Sequence, residues 1–331
     1  MADVIRYVDR DVVGGLGDGS SWANAYATLD AWQNAEATDL VTAEDGHTVY
    51  YRAASDNPRT SNFAFSGWTT DADYHITLIV PEANRHDGSR GTGTHIYGAS
   101  VGWGWIFSGI PAYTVIDGLH IYQASGNREA FTAGDDGIIL VNSLIVNDGT
   151  GGDSAGIRGP SGSLTIQNTI ILSNSGRGIN NTGAVITVLN STVYTYGNGL
   201  AISGATATDS TSCVSVYAAS TVTDGNGFGQ FHVGVTNSYS PDATYHGTAM
   251  SLADAAFNST TEGEEHLILT ADSDLINAGQ DNSENASWYG SAVDFVGTTR
   301  PQGTEWDIGA HEYVDDTDDI ALPMPQYIYG A

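Results

Sequence analysis

Lysine is missing from this chain, and basic residues of any kind are few. The 331 residues include 39 Asp+Glu and 10 Lys+Arg, all ten of them arginine, so the formal net charge is −29. Without lysine the chain has no Walker-type phosphate loop, no Schiff-base chemistry and no lysine general base. The acidity also argues against nucleic acid and anionic membranes as partners, because their phosphates would be repelled. Such a composition is typical of halophilic or marine proteins, or of a genome that favours arginine.

Cysteine and long apolar runs are also scarce. The single cysteine, Cys213, cannot form an internal disulfide. No stretch approaches the ~18 apolar residues of a membrane span. The residues from Met1 to Arg6 lack a basic region followed by an apolar run, so no secretion signal is visible. We therefore expect a protein that acts inside a cell or leaves it by another route, such as lysis.

Glycine is the residue in excess, with 41 Gly against 8 Pro. Together with abundant Ser, Thr and Asn, it predicts many short strands joined by tight turns. The exception is the segment from Ser20 to Ala37, where apolar residues recur at helical spacing: Trp22, Tyr26, Leu29 and Trp32. This segment predicts a helix that Ser20 or Ser21 caps. Everything downstream is predicted to be β-structure.

An apolar run with Asp or Asn at a fixed place recurs between about residues 110 and 240. The polar residues of this ladder are Asp117, Asn142, Asn168, Asn190 and Asn237. Their spacings are 25, 26, 22 and 47, and the last is two steps with the skipped unit near Val214–Val216. A second ladder consists of Gly156-Ile157, Gly178-Ile179 and Gly199-Leu200. Units of about 24 residues cannot bury their own apolar faces, so they must stack as coils.

This pattern resembles the right-handed parallel β-helix, the pectate-lyase-like family that includes viral spike and decoration proteins and extracellular glycan-active proteins. Tyr7–Asp9 with Gly19–Tyr26, and Leu269–Gly279 with Asp307–Tyr313, are similar to the family's entry and closing segments. The resemblance implies an all-β fold, a single-stranded right-handed parallel β-helix (solenoid) with a short N-terminal capping helix. We expect an entry segment with this helix (1–45), the β-helix (46–255), a closing segment (256–313) and an acidic, aromatic docking tail (314–331). The capping helix and the closing segment should cover the two open ends.

Carboxylates and arginines on the outer wall would carry the chemistry of a glycan-active member. Asp135 and Asp136 lie in a Gly-Asp-Asp-Gly stretch that resembles one motif of galacturonase-like hydrolases, and the alternative is a tight turn. A lyase-like site needs a base, and Arg158 with Asp153 is the candidate because lysine is absent. Asp148 and Arg177 lie near this pair in sequence; the alternative is solvent-facing charge.

Two further sites involve aromatic residues. Trp103, Trp105 and Tyr97 are predicted to bind glycan if their rings face outward, or to fill the first coils if they face inward. In the tail, Tyr327, Ile328 and Tyr329 are predicted to dock on a neighbouring subunit, and the alternative is a frayed end. The nine histidines show no metal-ligand spacing, so we expect no cofactor, with Ca²⁺ held by carboxylates as the alternative.

The favoured function is that of a structural virion protein of a tailed virus, a bacteriophage or archaeal virus. It would be a capsid-surface decoration or turret, or a fibre- or tail-spike-like component that binds host-surface glycans. We expect a homo-oligomer, trimer or pentamer, that contacts other virion proteins and is extracellular after lysis. The alternative is a polysaccharide lyase or glycoside hydrolase, including a virus-borne depolymerase, and a third hypothesis is a cell-surface adhesin. Two carboxylates and an arginine converging on one outer face would favour the enzyme.

Overall fold

The structure is a computed structural model. It describes residues 3–98, 106–126, 128–149, 154–174, 177–195, 256–261, 263–284, 289–290 and 292–315, and the backbone of five short strands between 202 and 249. Its helical elements are α1 (Leu29–Glu36), α2 (Leu40–Ala43) and the 3₁₀ turns Trp22–Asn24 and Glu82–Asn84. None of the described helices has the length and apolar character needed to span a membrane.

The remaining elements are short strands. In chain order they are β1 Val4–Asp9, β2 His47–Arg52, β3 Phe63–Ala64, β4 Ile76–Ile79, β5 His95–Gly98, β6 Phe107–Ser108, β7 Val115–Asp117, β8 His120–Gln123, β9 Phe131–Thr132, β10 Ile138–Val141, β11 Leu144–Asn147, β12 Ala155–Gly159, β13 Ser163–Gln167, β14 Ile170–Ser173, β15 Arg177–Asn181, β16 Val185–Leu189, β17 Thr192–Thr195, β18 Ile202–Gly204, β19 Thr208–Thr211, β20 Val214–Tyr217, β21 Tyr239–Ser240, β22 Thr248–Ala249, β23 Phe257–Ser259 and β24 His266–Leu269.

Three parallel sheets account for all but the last two strands. Sheet 1 is β1-β2-β4-β7-β10-β13-β16-β19, sheet 2 is β5-β8-β11-β14-β17-β20-β21-β22, and sheet 3 is β3-β6-β9-β12-β15-β18. From β7 to β20 the chain passes from sheet 1 through a tight corner into sheet 2, then to sheet 3 and back to sheet 1. The fold is therefore the parallel β-helix that the sequence predicts.

Equivalent inward-facing residues stack from coil to coil and form the core. Ile116, Leu140, Ile166 and Val188 pair in register along sheet 1, and all four are fully buried. Burial of each such side chain contributes about 1.5–3 kcal/mol. The skipped coil predicted near Val214 is present as β20, which lies between β17 and β21.

The asparagine ladder marks the corner between sheets 1 and 2. Asn142, Asn168 and Asn190 have φ values of 50°, 47° and 42°, the left-handed conformation that asparagine tolerates. In the preceding coil this position belongs to Gly118, with φ 80°, and not to Asp117. In that coil the predicted ladder position is therefore one residue too early. The prediction matched a polar side chain, whereas a left-handed backbone angle determines which residue occupies the corner. In the second ladder Ile157 pairs with Ile179 as predicted, and the next partner is Ile202 instead of Leu200.

The N-terminal helix is shorter than predicted. Tyr26 forms a parallel bridge with Val8, which keeps the chain extended until Thr28. Thr28, not Ser20 or Ser21, caps α1 by accepting a 3.0 Å hydrogen bond from the backbone N–H of Ala31. The Gln33 amide then pairs with the backbone of Ala64 and Ser66, next to the edge strand of sheet 3. The helix thus covers an exposed strand edge, as a capping helix should.

The described part of the closing segment lies on the side of the β-helix, whereas the sequence predicts an end cap. Its apolar residues pack on the outer face of sheet 2; they are Leu267, Leu269, Leu275, Phe295, Ile308 and Ala310. Their partners include Leu144 and Val146 of β11, a strand whose residues are all buried. A strand buried on both faces is a continuous apolar run, which explains the Leu-Ile-Val sequence of β11. The division of the chain into the four predicted segments stays a prediction.

Candidate functional site

Asp135 and Asp136 lie in an exposed turn between β9 and β10. The carbonyl of Asp136 accepts a 2.7 Å hydrogen bond from the Tyr113 N–H. Arg158 is on β12 in sheet 3, where its Nε lies 3.7 Å from Oε1 of the buried Glu129. Arg177 pairs in register with Ala155, and Arg158 pairs with Asn180, so the two arginines do not stack.

Tyr97 is half-buried on β5 and lies in register with Tyr122 on the outer face of sheet 2. The two rings meet edge to face with centroids 5.1 Å apart. The other predicted glycan-binding and catalytic residues, Trp103, Trp105 and Asp153, lie outside the described residues, as do Tyr327, Ile328 and Tyr329 of the docking tail.

A polar cavity of about 270 Å³ lies along the corner between sheets 1 and 2. We call it the corner cavity. The β-helix contributes Glu82, Arg85, Asp117, Asn142, Gln167 and Asn168, and the closing segment contributes Tyr289, Gly290, Val293 and Gly297. The cavity is therefore bounded by both parts of the chain.

Successive coils supply a chain of hydrogen bonds along one wall of the cavity. The Asn168 Nδ2 group donates to Asn142 Oδ1 at 3.3 Å, and Asn142 Nδ2 donates to Asp117 Oδ1 at 2.8 Å. These are the ladder asparagines, together with the aspartate that precedes the ladder position. The repeat thus places amides and a carboxylate at coil-to-coil spacing along the cavity.

The closing segment is held against the cavity by side-chain amides. Gln167 accepts from the Tyr289 N–H at 2.8 Å and donates to the Tyr289 carbonyl at 2.9 Å. Asn168 Nδ2 donates to the Val293 carbonyl at 2.6 Å. The side-chain amides of Gln167 and Asn168 thus bond to backbone groups of the closing segment that have no strand partner. The closing segment therefore packs on the β-helix with these backbone groups hydrogen-bonded.

The guanidinium group of Arg85 supplies the positive charge in the cavity. Its Nη2 lies 2.7 Å from Asp117 Oδ2, and its Nε donates to the Val80 carbonyl at 3.1 Å. The guanidinium packs over Gly118, where an added Cβ would lie 2.6 Å from Arg85 Nε. Glycine at this corner therefore meets two needs, a positive φ and the close approach of Arg85.

The carboxylates of the cavity differ in their surroundings. Burial raises the pKa of Asp117, and the nearby Arg85 charge and the Asn142 hydrogen bond oppose that rise. Burial, and the charge of Asp117, also raise the pKa of Tyr289. Glu82 is exposed at the rim, and within the described residues it has no ion-pair partner.

One buried acceptor at the cavity has no donor. Asn168 is fully buried, and Nδ2 bonds to two carbonyl-type oxygens, which fixes the orientation of the amide. Its Oδ1 atom then has no hydrogen-bond partner. Buried polar atoms are nearly always paired in native proteins. The atom has less than 1 Å² of accessible surface, so it lies behind the wall of the cavity and is not open to a ligand.

The arrangement can bind and polarise hydroxyl groups. Both oxygens of Asp117 already bond, to Arg85 and to Asn142, so Glu82 is the carboxylate of the cavity that is open to a ligand. Two carboxylates and an arginine thus converge on one outer face, the feature that favours an enzyme over a purely structural protein. Sequence reasoning missed this site because Glu82 and Arg85 precede the visible repeat and Tyr289 follows it. The aspartate at position 117, next to Gly118 in a ladder otherwise formed by asparagines, was the one feature of the sequence that could have indicated this site.

A second charged cluster fastens the closing segment to sheet 2. Arg90 bonds to Asp148 at 2.5 Å and to Glu265 at 2.9 Å through Nη2, with a further short contact from Nε to Glu265. Asn174 accepts from Arg90, and the Tyr122 hydroxyl donates to Asp148 at 2.8 Å. The Glu265 side chain has no exposed surface. This cluster is closed and is structural, in contrast to the corner cavity.

In the part of the chain that the structure describes, no group of three or more His, Cys, Asp and Glu side chains is placed to hold a metal ion. The comparisons with known proteins bear on the fold. No protein-family model matches this chain, and no curated protein matches its sequence. Among solved structures, the crystal structure of the pectate lyase Pel9A is similar, with 16% identity and a TM-score of 0.32. The likeness covers 94% of this chain and 97% of that one.

Proposed function

We propose that this protein binds a polysaccharide and that the corner cavity is its binding site. The observation that carries the proposal is the convergence of Glu82, Arg85 and Asp117 on a cavity that the side-chain amides of Asn142 and Gln167 also line. A sugar presents hydroxyl groups that both donate and accept hydrogen bonds. A site with buried polar groups selects a ligand that pairs with them, since a ligand lacking those groups leaves them unsatisfied.

If the protein also cleaves its ligand, Arg85 is not a free base for elimination, because this arginine, the only one lining the described cavity, already pairs with Asp117 at 2.7 Å. Hydrolysis needs one carboxyl that donates a proton and one carboxylate that acts as base or nucleophile. Both oxygens of Asp117 already bond, to Arg85 and to Asn142, so cleavage would depend on Glu82.

The substitution Asp117→Asn should weaken oligosaccharide binding at least tenfold. The amide keeps the shape of the side chain but removes the charge that pairs with Arg85 and faces the cavity. Titration calorimetry with a panel of neutral, amino and uronic oligosaccharides measures the effect. Asp136→Asn, an equal charge change in the exposed turn, should leave affinity unchanged.

The two variants also separate the corner cavity from the site that the sequence predicts. Loss of binding in Asp136→Asn with retention in Asp117→Asn would move the site to the turn between β9 and β10. Melting curves of both variants show whether any lost affinity reflects lost folding. If no oligosaccharide binds the wild-type chain, the proposed function is wrong.

The virion role predicted from the sequence stays a prediction, as do the homo-oligomer, the virion surface location and release by lysis. A glycan site on a rigid β-helix suits a surface protein that holds a host polysaccharide, so both ideas are compatible. We expect quantitative mass spectrometry of purified particles from the source culture to give a fixed ratio of this chain to the major capsid protein. Absence from particles, with the chain free in the medium, would contradict the virion role.

A further inference from the structure

Glu82 is the carboxylate of the corner cavity that lacks a partner among the described residues. It lies in the 3₁₀ turn Glu82–Asn84, directly after Pro81. Its exposed side chain lies at the rim of the cavity. The closing segment approaches it closely at Gly297, where an added Cβ would lie 2.7 Å from Glu82 Oε1. A carboxylate between the β-helix and the closing segment faces any ligand that enters.

The charge of the other carboxylate is already balanced. Asp117 bonds to Arg85 through one oxygen and to Asn142 through the other. The described wall of the cavity therefore carries one arginine against two carboxylates, and Glu82 leaves a net negative charge. A ligand with a positive charge would balance it, and a ligand with a carboxylate would add to it.

The arginines elsewhere in the described residues offer little to an anionic sugar. Six of them pair with carboxylates; they are Arg6, Arg52, Arg59, Arg90, Arg158 and Arg300. The whole chain carries a formal charge of −29. Long-range electrostatics therefore repels polyuronates and attracts cationic chains.

The hydrogen-bonding groups of the cavity also favour donors on the ligand. Glu82 places a carboxylate acceptor at the rim, and the Asp117 carboxylate lines the same cavity. An ammonium group has three donors and no acceptor. At about 270 Å³ the cavity is smaller than the ~300–1,000 Å³ pockets of drug-sized ligands, so it suits a single sugar ring.

We propose that the sugar recognised in the corner cavity is an amino sugar, with its ammonium group against Glu82. This inference rests on the proposed function, because it names the substrate class of the same site. It excludes polyuronates as ligands of this cavity. It also gives Glu82 a specific role, that of selecting a protonated amine over its acetylated counterpart.

The test compares three oligosaccharides of equal length by titration calorimetry at pH 6: a glucosamine tetramer, its N-acetylated form and a galacturonate tetramer. We expect the glucosamine tetramer to bind at least tenfold tighter than the acetylated tetramer, and the galacturonate tetramer to show no binding. Glu82→Gln should abolish the preference for the free amine. Raising the salt concentration should weaken the glucosamine complex, because exposed charges are screened.

A chain of this acidity attracts any oligocation, so the variants decide the question. Glu305→Gln removes the same charge from another exposed position and should keep the tenfold preference. Equal loss in both variants, or equal affinity for the free and acetylated tetramers, would overturn the amino-sugar inference while leaving glycan binding intact. Binding of none of the three sugars, with binding of a neutral oligosaccharide, would also overturn the amino-sugar inference alone. Absence of binding to every oligosaccharide of the panel would overturn the proposed function.

Discussion

Replacing Arg90 with methionine should lower the free energy of unfolding by about 3–5 kcal/mol. The guanidinium bonds to Asp148 and to Glu265, whose side chain has no exposed surface. Methionine fills a similar volume but leaves both carboxylates buried without a cation. Breaking one side of a buried ion pair is costly because the remaining charge is neither hydrated nor paired. Urea denaturation with linear extrapolation measures the difference.

The matched control is Arg52→Met. Arg52 pairs with the buried Asp9 at 2.8 Å, but its own side chain is 37% exposed, and Asp9 keeps the hydrogen bond from the Asp11 N–H. Its loss leaves one buried carboxylate without a cation instead of two, so it should cost less than the loss of Arg90. Adding Asp148→Asn and Glu265→Gln to Arg90→Met should restore part of the lost stability, because no buried charge then remains. Equal effects of Arg90→Met and Arg52→Met would show that the Arg90 cluster does not fasten the closing segment.

The β-helix was predictable from the sequence because its stabilising unit is local and repeated. The asparagines at 142, 168 and 190 recur at coil spacing, and each occupies the same left-handed corner. The one error in that ladder, Asp117 in place of Gly118, has a physical reason. The corner selects a backbone angle, which glycine and asparagine share, and the polar side chain is incidental to it.

The corner cavity was not predictable in the same way. Tyr289 meets Gln167 across 122 residues, and Arg90 meets Glu265 across 175 residues, and neither separation follows the repeat. What the sequence did contain was the apolar β11, Leu144–Asn147, with no polar outer face. Such a strand indicates that another element covers its outer face. It does not indicate which segment of the chain does so. The closing segment fills that place, and its loop then completes the cavity.

Acidification should destabilise the protein through two histidines at the same interface. Burial lowers the pKa of His86 to about 4 and the pKa of His311 to about 4, against about 6.5 for an unfolded histidine. Between these values the unfolded chain binds more protons than the folded chain. The stabilising contribution is therefore complete above pH 6.5 and is lost as the pH falls towards 4. Each histidine should account for about 3 kcal/mol of that loss.

The hydrogen bonds explain why both rings stay neutral. His86 Nε2 donates to the Asn142 carbonyl at 3.0 Å, which leaves a buried Nδ1 without a partner. A proton on Nδ1 would be a buried, unpaired charge. His311 Nδ1 accepts from the Leu269 N–H at 3.2 Å, so protonation there would remove an acceptor. Phe295 stacks on His86, with centroids 5.5 Å apart, and contacts His311, so both charges would arise where the closing segment docks.

The variant His86→Gln isolates one of these contributions. Glutamine can still donate to the Asn142 carbonyl but does not titrate. Burial also raises the pKa of Asp307 to about 6, which acts in the opposite direction between pH 6 and 4. That effect is present in both proteins and cancels in their difference. We therefore expect the stability of the wild type relative to His86→Gln to fall by about 3 kcal/mol between pH 7 and pH 4, measured by urea denaturation at each pH.

A control variant tests whether the pH effect is specific to the interface between the β-helix and the closing segment. His75→Gln changes a histidine away from the closing segment, next to the first strands of sheet 1, and should leave the His86 contribution in place. His86→Gln combined with His311→Gln should not be strictly additive, because both rings contact Phe295. If the stability difference between wild type and His86→Gln were independent of pH, His86 would titrate with the same pKa in the folded and unfolded chains. Burial of its ring against the closing segment would then not make stability depend on acidity.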